Sequence, residues 1–529
     1  MSHPTAGRGE IARSVTRGAF YLGIEKGAAL VSGIVYFALL LRWLGPTKYG
    51  IITLALSFVG LATVATGNFE VYLERYATEH ETHGRMRTLR RAHHLTLALK
   101  LGLGLIATAV LLALAPALAR SYGTPELMRL LPLLALIVVC DGLSTTGRAM
   151  LYGFQRFRWI GVIGVIFHVA KTIMVGALWW TRRGLPELAL GLAVLTALQG
   201  VVLTAIPMWM MRRARDDRTA PADERGLVRS VMSYCMPLLG ARVAFLSGQN
   251  LSKVVLGKLF DTTLLGYFSF AFQTVERFVE LAFTLPSALL PPLTQLVARG
   301  ERERLRAVFD RTFGLVQTVA AAVAFTLFVF APELTRWVGS PLFTPAVPLL
   351  RILALVPFAR TAQQPLTMLF QALRLPGIVF ALALVKFAFE FGCYFTLVPW
   401  LGLAGAGWAN LIGAVAAFAA AQLALRTVLA GGAAERARTT LRTLALLAPF
   451  LGAGLLLDLA LRPVPAFAAK LVLVPAALVL AFAFGLVTRA DLETAAALPL
   501  SAAWMRRARD AAVAAGDRLA RVVAVRRAL

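Results

Sequence analysis

Basic side chains recur inside segments of this chain that are otherwise apolar. Seven of them lie deep in those segments: Lys26, Lys171, Arg242, Lys253, Arg277, Arg360 and Lys386. A Lys or Arg at the centre of a membrane helix costs roughly 3 kcal/mol if it faces lipid, so seven would cost about 20 kcal/mol. A typical fold is stable by only about 5–15 kcal/mol. A water-filled, positively charged cavity avoids this cost, and its natural occupant is an anion.

Polar residues accompany these cations at helical spacing. Successive residues of an α-helix turn by 100°, so residues three, four or seven apart share a face. Three segments carry such faces: Arg242, Gln249 and Lys253; Ser269, Gln273, Glu276, Arg277 and Glu280; and Arg360, Gln363, Gln364, Thr367 and Gln371. Lys171 shares a shorter face with His168 and Thr172. The faces fit one shared polar interior, and the alternative is that they only join helices by hydrogen bonds and ion pairs.

Carboxylates occur beside several of the cations. Lys386 and Glu390 lie one turn apart, where they can neutralise each other, and Glu25 and Lys26 form a charge pair on the first helix. Three further cations, Lys100, Arg351 and Lys470, are close enough to predicted helix ends to reach the interface by snorkelling. Buried carboxylates can also carry protons or sodium ions. The candidates for such ion coupling are Glu25, Glu70, Glu74, Glu276 and Glu280.

The elements that position these residues are membrane helices. The chain has 529 residues, 58% of them hydrophobic, and a mean hydropathy of +0.72, which is typical of an all-α polytopic membrane protein. Apolar runs predict fourteen transmembrane helices: 18–41, 50–69, 92–115, 130–150, 159–181, 187–211, 231–256, 264–297, 312–331, 346–371, 375–398, 403–425, 443–461 and 466–487. Lys and Arg are several times more frequent in alternate loops, which predicts cytoplasmic N- and C-termini. This topology accounts for most of the net charge of +27, so no nucleic-acid partner is required.

The predicted helices group into two lobes and an appendage. We assign 1–211 to an N-terminal six-helix lobe, 212–230 to a cytoplasmic linker, 231–428 to a C-terminal six-helix lobe, 439–488 to helices thirteen and fourteen, and 489–529 to a basic tail. The tail has the pattern of an amphipathic helix on the anionic inner leaflet, or of a frayed basic end.

The two lobes contain similar turns, as an internal repeat would. LGPTKYGIITLALSF at 44–58 and FDTTLLGYFSFAFQT at 260–274 place Gly50 and Gly266 at the start of the next helix. A general preference of turns for glycine is the alternative.

No motif for catalysis or for a cofactor occurs in the chain. A G-x-x-x-x-G-K-[ST] loop for ATP is absent. The segment EHETH at 79–83 has two residues between its histidines, whereas zinc proteases have three. Cys140, Cys235 and Cys393 fall in different apolar segments, which predicts no disulfide. We therefore expect a transporter without a cofactor or metal, and not an enzyme.

Five stretches that together extend along most of the chain resemble one family. They are LLLRWLGPTKYGIITLALSFVGLAT (39–63), ERYATEH (74–80), GFQRFRW (153–159), LGKLFDTTLLGYFSFAFQTVERF (256–278) and LVPWLGLAGAGWANLIG (397–413). The chain resembles the bacterial polysaccharide biosynthesis flippases, the Wzx-type branch of the multidrug/oligosaccharidyl-lipid/polysaccharide exporter superfamily. In that family L-G-P-x-x-Y-G joins the first two helices.

The resemblance implies a fold and an activity. Two six-helix lobes would form a V-shaped cavity, lined mainly by helices one, two, seven and eight. The protein would move a polyprenyl-pyrophosphate-linked oligosaccharide across the bacterial inner membrane by alternating access, for O-antigen, capsule or exopolysaccharide synthesis. Membrane lipids would be partners, with a polysaccharide polymerase and glycosyltransferases as candidates. The alternatives are a flippase for the lipid-linked peptidoglycan precursor, a cation-coupled small-molecule exporter, whose cavity should be acidic, and a scaffold of a synthase complex.

The resemblance also implies roles for individual residues. Cavity cations in such flippases hold the pyrophosphate, and this role falls here on Lys26, Arg242, Lys253 and Arg277, with Arg360 as a further candidate. The polar lining would be completed by Gln249, Gln273, Glu276, Glu280 and Lys171.

Overall fold

The computed structural model describes residues 8–82, 86–213, 226–283, 290–429 and 431–483, together with Asp510 and Ala514. Every regular element within these ranges is a helix, which confirms the all-α class. The chain divides into two compact units, Met1–Gly266 (unit 1) and Tyr267–Leu529 (unit 2). The predicted lobe boundaries stay predictions, because most of the linker at 212–230 and of the tail at 489–529 lies outside the described residues.

Unit 1 is a bundle of long helices. In chain order they are α1 (Arg8–Val64), α2 (Glu70–Thr82), α3 (Met86–Ser121), α4 (Leu127–Gly153), α5 (Phe157–Trp180), α6 (Leu185–Arg213), α7 (Leu227–Leu259) and the first residues of α8 (Thr262–Ala282). Helix α4 packs against α1, α2, α3, α5 and α6, and α1 also packs against α5 and α7. Side chains of α2, α3, α4 and α7 meet in an apolar core that includes Leu73, Leu89, Met150 and Cys235.

Unit 2 contains the rest of α8 and the C-terminal helices. They are α9 (Leu290–Ala298), α10 (Arg302–Val329), α11 (Ala331–Leu334), a π-helical turn (Thr335–Gly339), a 3-10 helix (Pro341–Ala346), α12 (Val347–Leu353), α13 (Val356–Ala372), α14 (Pro376–Val428), α15 (Ala433–Ala460) and α16 (Pro463–Ala483). Helix α13 packs against α9, α10 and α14, and α15 packs against α10 and α16. Phe309, Phe313 and Phe370 are buried in the core between α10, α13 and α14.

Two helices are far longer than one membrane crossing, which needs about 20 residues. Helix α1 has 57 residues and α14 has 53. Each is kinked at a glycine in a backbone conformation that side chains disfavour: Gly45 has φ 65° and ψ 179°, and Gly402 has φ 57° and ψ −133°. Pro46 can begin the second arm of α1 because the first residues of a helix need no N–H donor. Each long helix therefore contains two of the predicted membrane helices.

Ten helices among the described residues have the length and apolar composition of membrane spans. These include α1 and α14, each long enough for two crossings, and leave out α7 and α8. The structure is thus compatible with the fourteen predicted crossings.

The structure departs from the predicted boundaries at several places. Helix α2 lies in a predicted loop. The predicted helix at 264–297 contains α8 and α9, which are separated by residues 284–289 outside the described ranges. The predicted helix at 346–371 is broken between α12 and α13, because Pro357 cannot hydrogen-bond to the carbonyl of Leu353 and its ring would clash there.

A buried ion network joins α15 and α16 to the rest of unit 2. Lys470 of α16 is fully buried, lies 2.7 Å from Oε1 of Glu333 and also pairs with Asp458 of α15. Asp458 pairs in turn with Arg351 of α12. The two cations balance the two carboxylates, so the network leaves no net charge. The prediction that Lys470 reaches the interface by snorkelling is therefore wrong, and Arg351 is likewise paired inside the unit.

The network predicts an unequal pair of variants. Lys470→Met should lower the free energy of unfolding by about 3–5 kcal/mol, because two carboxylates then face a single cation in a buried site. Lys470→Met combined with Glu333→Met should be more stable than the single variant, since the pair of Arg351 and Asp458 remains balanced. Thermal unfolding of the purified protein in detergent measures the difference. Equal stability of the single and double variants would contradict this account of the network.

Candidate functional site

Glu25 is buried in unit 1 and pairs with a cation of another helix. Its Oε1 lies 2.8 Å from a terminal nitrogen of Arg148 on α4, and Glu25 is 3% exposed. Gly164 of α5 makes room for it: a Cβ added there would lie 2.6 Å from Cγ of Glu25. Lys26 is exposed instead. The charge pair expected between Glu25 and Lys26 is therefore wrong, because adjacent residues on a helix point about 100° apart.

Glu70 is a second buried carboxylate of unit 1 with a basic partner. Nζ of Lys100, which is fully buried, donates hydrogen bonds to Oε2 of Glu70 at 2.8 Å and to Oγ1 of Thr145 at 2.7 Å. Gly142 of α4 allows the close approach, with a Cβ there only 3.2 Å from Cβ of Lys100. Lys100 does not snorkel, contrary to the prediction. Glu74, one turn further along α2, is exposed.

The remaining polar candidates of unit 1 lie on α5 and α7. Lys253 of α7 is 8% exposed, and Lys171 of α5 is half-buried. The side chains of Arg242 and Gln249, also on α7, fall outside the described residues. A buried lysine on a membrane-length helix requires polar surroundings, so the low exposure of Lys253 fits the predicted polar face of α7.

In unit 2 the polar faces of α8 and α13 meet in an ion pair. Arg360 of α13 donates a hydrogen bond to Oε1 of Glu276 on α8, and both side chains are 13% exposed. Gln273, one turn before Glu276, is half-buried. The two partners lie 84 residues apart in the chain, so no local spacing indicates the pair. The matching polar faces were the only signal in the sequence.

Arg277 and Glu280 lie on a more exposed side of α8. A terminal nitrogen of Arg277 is 3.4 Å from Oε2 of Glu280, and their side chains are 46% and 65% exposed. Such a pair contributes little to stability in water. Arg277 therefore stays accessible, whereas Arg360 is held by a carboxylate in a partly buried place.

The predicted ion pair between Lys386 and Glu390 is confirmed. Glu390 also accepts hydrogen bonds from the hydroxyl of Tyr394 at 2.7 Å and from Nδ2 of Asn410 at 2.8 Å. With three donors around a 1% exposed carboxylate, this cluster joins the two arms of α14.

The structure distributes the pyrophosphate candidates over both units. Lys26, Arg242 and Lys253 belong to unit 1, and Arg277 and Arg360 to unit 2. Within the ranges that the structure describes, no three His, Cys, Asp or Glu side chains form a group that could hold a metal ion. The histidine-containing segment at 79–83 has no described side chains. What these residues offer chemically is positive charge, part of it paired with carboxylates.

The fold is that of transporters of the MOP superfamily. The structure is similar to the lipid II flippase MurJ in an inward closed conformation, with a TM-score of 0.63 and 12% identity over 88% of this chain and 97% of that one. It is also similar to an inward-facing multidrug resistance MATE family transporter, with a TM-score of 0.56 and 16% identity over 78% and 94% of the two chains. A MOP superfamily transporter from Pyrococcus furiosus gives a TM-score of 0.54 and 15% identity over 79% and 95%.

The chain belongs to the polysaccharide biosynthesis protein family, whose model matches residues 39–348. No curated protein sequence matches the chain. Family and fold together confirm the resemblance that the sequence shows, and they define a multi-pass membrane protein of the flippase and exporter type. The similar structures are transporters and a flippase, not enzymes.

The partner of Glu25 can be tested by two neutral substitutions. Arg148→Met should lower the free energy of unfolding by about 3 kcal/mol or more, because Glu25 is then a buried carboxylate without its cation. Lys26→Met should leave stability within about 0.5 kcal/mol, as expected for an exposed side chain. Thermal unfolding in detergent and the amount of protein in the membrane measure both effects. The reverse order of the two variants would show that Lys26 is the partner.

Proposed function

We propose that this protein is a flippase that moves a polyprenyl-pyrophosphate-linked oligosaccharide from the inner to the outer leaflet by alternating access, for the synthesis of a surface polysaccharide. Membership of the polysaccharide biosynthesis family supports the substrate class. The observation that carries the proposal is Arg360, a guanidinium on a membrane-length segment, held by Glu276 with both side chains 13% exposed. An anion that displaced Glu276 would bind to the positive charge of Arg360.

Pyrophosphate is a stronger partner for Arg360 than Glu276 is. A guanidinium binds phosphate oxygens through two parallel hydrogen bonds. One pair of unit charges 4 Å apart contributes about 4 kcal/mol at an effective dielectric constant of 20, and pyrophosphate brings more than one negative charge. The head group would therefore displace the carboxylate, while the lipid tail stays in the bilayer.

The other candidates supply the rest of the binding region in this proposal. Lys26, Arg242, Lys253 and Arg277 would neutralise the pyrophosphate, and Lys171, Gln249, Gln273 and Glu280 would line its path. Both termini would face the cytoplasm at the bacterial inner membrane. Glycosyltransferases would supply the substrate, and a polysaccharide polymerase would consume it.

Energy coupling through a carboxylate is a further part of the proposal. Glu25 and Glu70 are each bound to a cation inside unit 1, and Glu280 and Glu74 are exposed. Glu276 is the best candidate, because substrate bound to Arg360 would release its carboxylate and make it available to a proton.

Removal of the cations tests the anion site. Lys253→Ala, Arg277→Ala, Arg360→Ala and Arg242→Ala should each reduce export of surface polysaccharide several-fold relative to the amount of protein in the membrane, since each removes positive charge from the pyrophosphate path. Arg304→Ala is the matched control, because that side chain is 77% exposed beside Glu301. Normal export from all four variants would reject the anion site.

Neutralisation of Glu276 should act in the opposite direction on binding. Glu276→Gln leaves Arg360 without a competing carboxylate, so affinity for a polyprenyl pyrophosphate in detergent should rise about tenfold, equivalent to about 1.4 kcal/mol. Glu280→Gln should change the affinity less than twofold, because Glu280 only meets Arg277 at an exposed position. Equal affinities of the two variants and the parent would show that Arg360 does not bind the head group.

A peptidoglycan precursor is the second candidate substrate, because the structure is similar to a lipid II flippase. The two substrates share the pyrophosphate and differ in the sugar. Growth of cells depleted of their own lipid II flippase, on expression of this protein, would favour the peptidoglycan precursor. Restored surface polysaccharide without restored growth would favour the oligosaccharide.

A further inference from the structure

Two turns of unit 1 approach each other reciprocally, closer than side chains would allow. A Cβ added to Gly50 of α1 would lie 1.8 Å from the carbonyl oxygen of Thr262, and a Cβ added to Gly266 of α8 would lie 2.0 Å from the carbonyl oxygen of Pro46. Both distances are far inside the normal contact distance of about 3.5 Å. Only glycine at both positions permits this approach. We define the glycine clasp as the six residues Pro46, Thr47, Gly50, Thr262, Thr263 and Gly266.

The clasp has the symmetry of an internal repeat. Oγ1 of Thr47 and Oγ1 of Thr263 are hydrogen-bonded at 2.9 Å, and these residues are 216 positions apart. The same separation relates Gly50 to Gly266 and Pro46 to Thr262. Gly50 contacts the carbonyl of Thr262, and Gly266 contacts the carbonyl of Pro46, which is the corresponding residue of the other turn. The similar stretches 44–58 and 260–274 thus form a symmetric contact in the folded chain. A general preference of turns for glycine does not explain such a contact.

Local sequence brings the two turns into this geometry. Gly45, with φ 65°, breaks α1 so that Pro46 begins its second arm. At the corresponding position, Oδ1 of Asp261 accepts a hydrogen bond from the backbone N–H of Leu264 at 2.7 Å and so caps the start of α8. In both turns a new helix begins just before the contact, and its first carbonyl faces the glycine of the other.

The neighbouring contacts close the same end of unit 1. The hydroxyl of Tyr122 donates a hydrogen bond to the carbonyl oxygen of Val254 at 3.2 Å. Nζ of Lys258 lies 5.6 Å from the centre of the Tyr122 ring and donates a hydrogen bond to the carbonyl oxygen of Ser121. These residues join the end of α7 to the turn between α3 and α4. The distribution of Lys and Arg over the loops predicts that this end faces the outside.

The clasp differs in kind from the contacts that hold each helix bundle together. The buried ion pairs of unit 1 would leave a charge in hydrocarbon if they separated. The clasp consists of neutral backbone packing and one exposed hydroxyl hydrogen bond, whose groups water can satisfy after separation. It can therefore open without leaving a polar group unsatisfied. It can close only if neither position 50 nor position 266 carries a side chain.

We propose that the glycine clasp is the outer gate of the transport cycle. It is closed while the binding region is open to the inner side, and it separates when the head group leaves on the outer side. The proposal rests on the proposed transport function for its role in the cycle, whereas the closure itself is a property of the two turns. Corresponding substitutions on the two sides should act equally because the contact is reciprocal.

Cross-linking tests the closure. In a protein with Cys140→Ala, Cys235→Ala and Cys393→Ala, the pair Thr47→Cys and Thr263→Cys should form a disulfide in membranes after addition of a mild oxidant. A protease site inserted between residues 213 and 226 makes the bond visible, because cleaved fragments stay joined only if it has formed. Adding Gly50→Ala or Gly266→Ala should slow cross-linking several-fold and to the same degree.

The controls are glycines of the same unit that face open space. A Cβ at Gly102 of α3 or Gly176 of α5 meets nothing within 4 Å, so Gly102→Ala and Gly176→Ala should cross-link at the parent rate. Equal rates for all four glycine variants would overturn the claim that glycine is needed for closure. An effect of only one of Gly50→Ala and Gly266→Ala would overturn its reciprocity.

Export tests the opening. The fully cross-linked protein should lose polysaccharide export, and a reductant should restore it. Full export by the cross-linked protein would overturn the gate. If the cysteine-free parent exported no polysaccharide, the proposed function would fail, and the cross-linking rates, which need no substrate, would still accept or reject the clasp.

Discussion

A charge that lies among membrane-length helices has no water to solvate it, and the side-chain arrangement within both units follows from this constraint. Among the described residues, several cations on membrane-length helices or segments pair with a carboxylate: Lys100, Arg148, Arg351, Arg360, Lys386 and Lys470. The pairs also fix helix packing, because two of the carboxylates sit against a glycine of a facing helix or helix arm, as Glu25 does at Gly164 and Glu390 at Gly413. Separation of such a pair leaves a charge in a medium that cannot stabilise it.

The contacts within the two units differ in the free energy that their separation would cost. The network around Lys470 and the cluster around Glu390 balance their charges and connect separate helices or helix arms. Within the described ranges, Arg360 and Glu276 form an isolated pair without such further partners, and in the proposed cycle the substrate would displace Glu276 from Arg360. The glycine clasp is neutral, so water can replace its interactions. A transporter needs both rigid bundles and contacts that separate, and in the proposed cycle the ion pairs would supply the first and the clasp the second.

Local pattern was sufficient for part of the structure. Apolar runs predicted the helices, and the pair of Lys386 and Glu390 was visible because its members lie one turn apart. The predicted helix ends were less accurate where a proline lies inside an apolar run, as Pro357 does, or where a polar helix such as α2 joins two apolar ones. Lys100 and Lys470 were misassigned as interfacial. Their partners lie 30 and 137 residues away, beyond any spacing that a single helix can indicate.

The sequence by itself determined the class of the protein, its family and the faces on which polar residues lie, because hydrophobicity, motifs and helical periodicity are local properties. Only the tertiary structure decided which carboxylate neutralises which cation, because that depends on how distant helices pack. It separated Glu25 from Lys26, bound Arg360 to Glu276 and left Arg277 accessible. It also showed that the two similar glycine-containing turns contact each other reciprocally. The sequence could not show this contact, since steric fit between backbones exists only after the chain has folded.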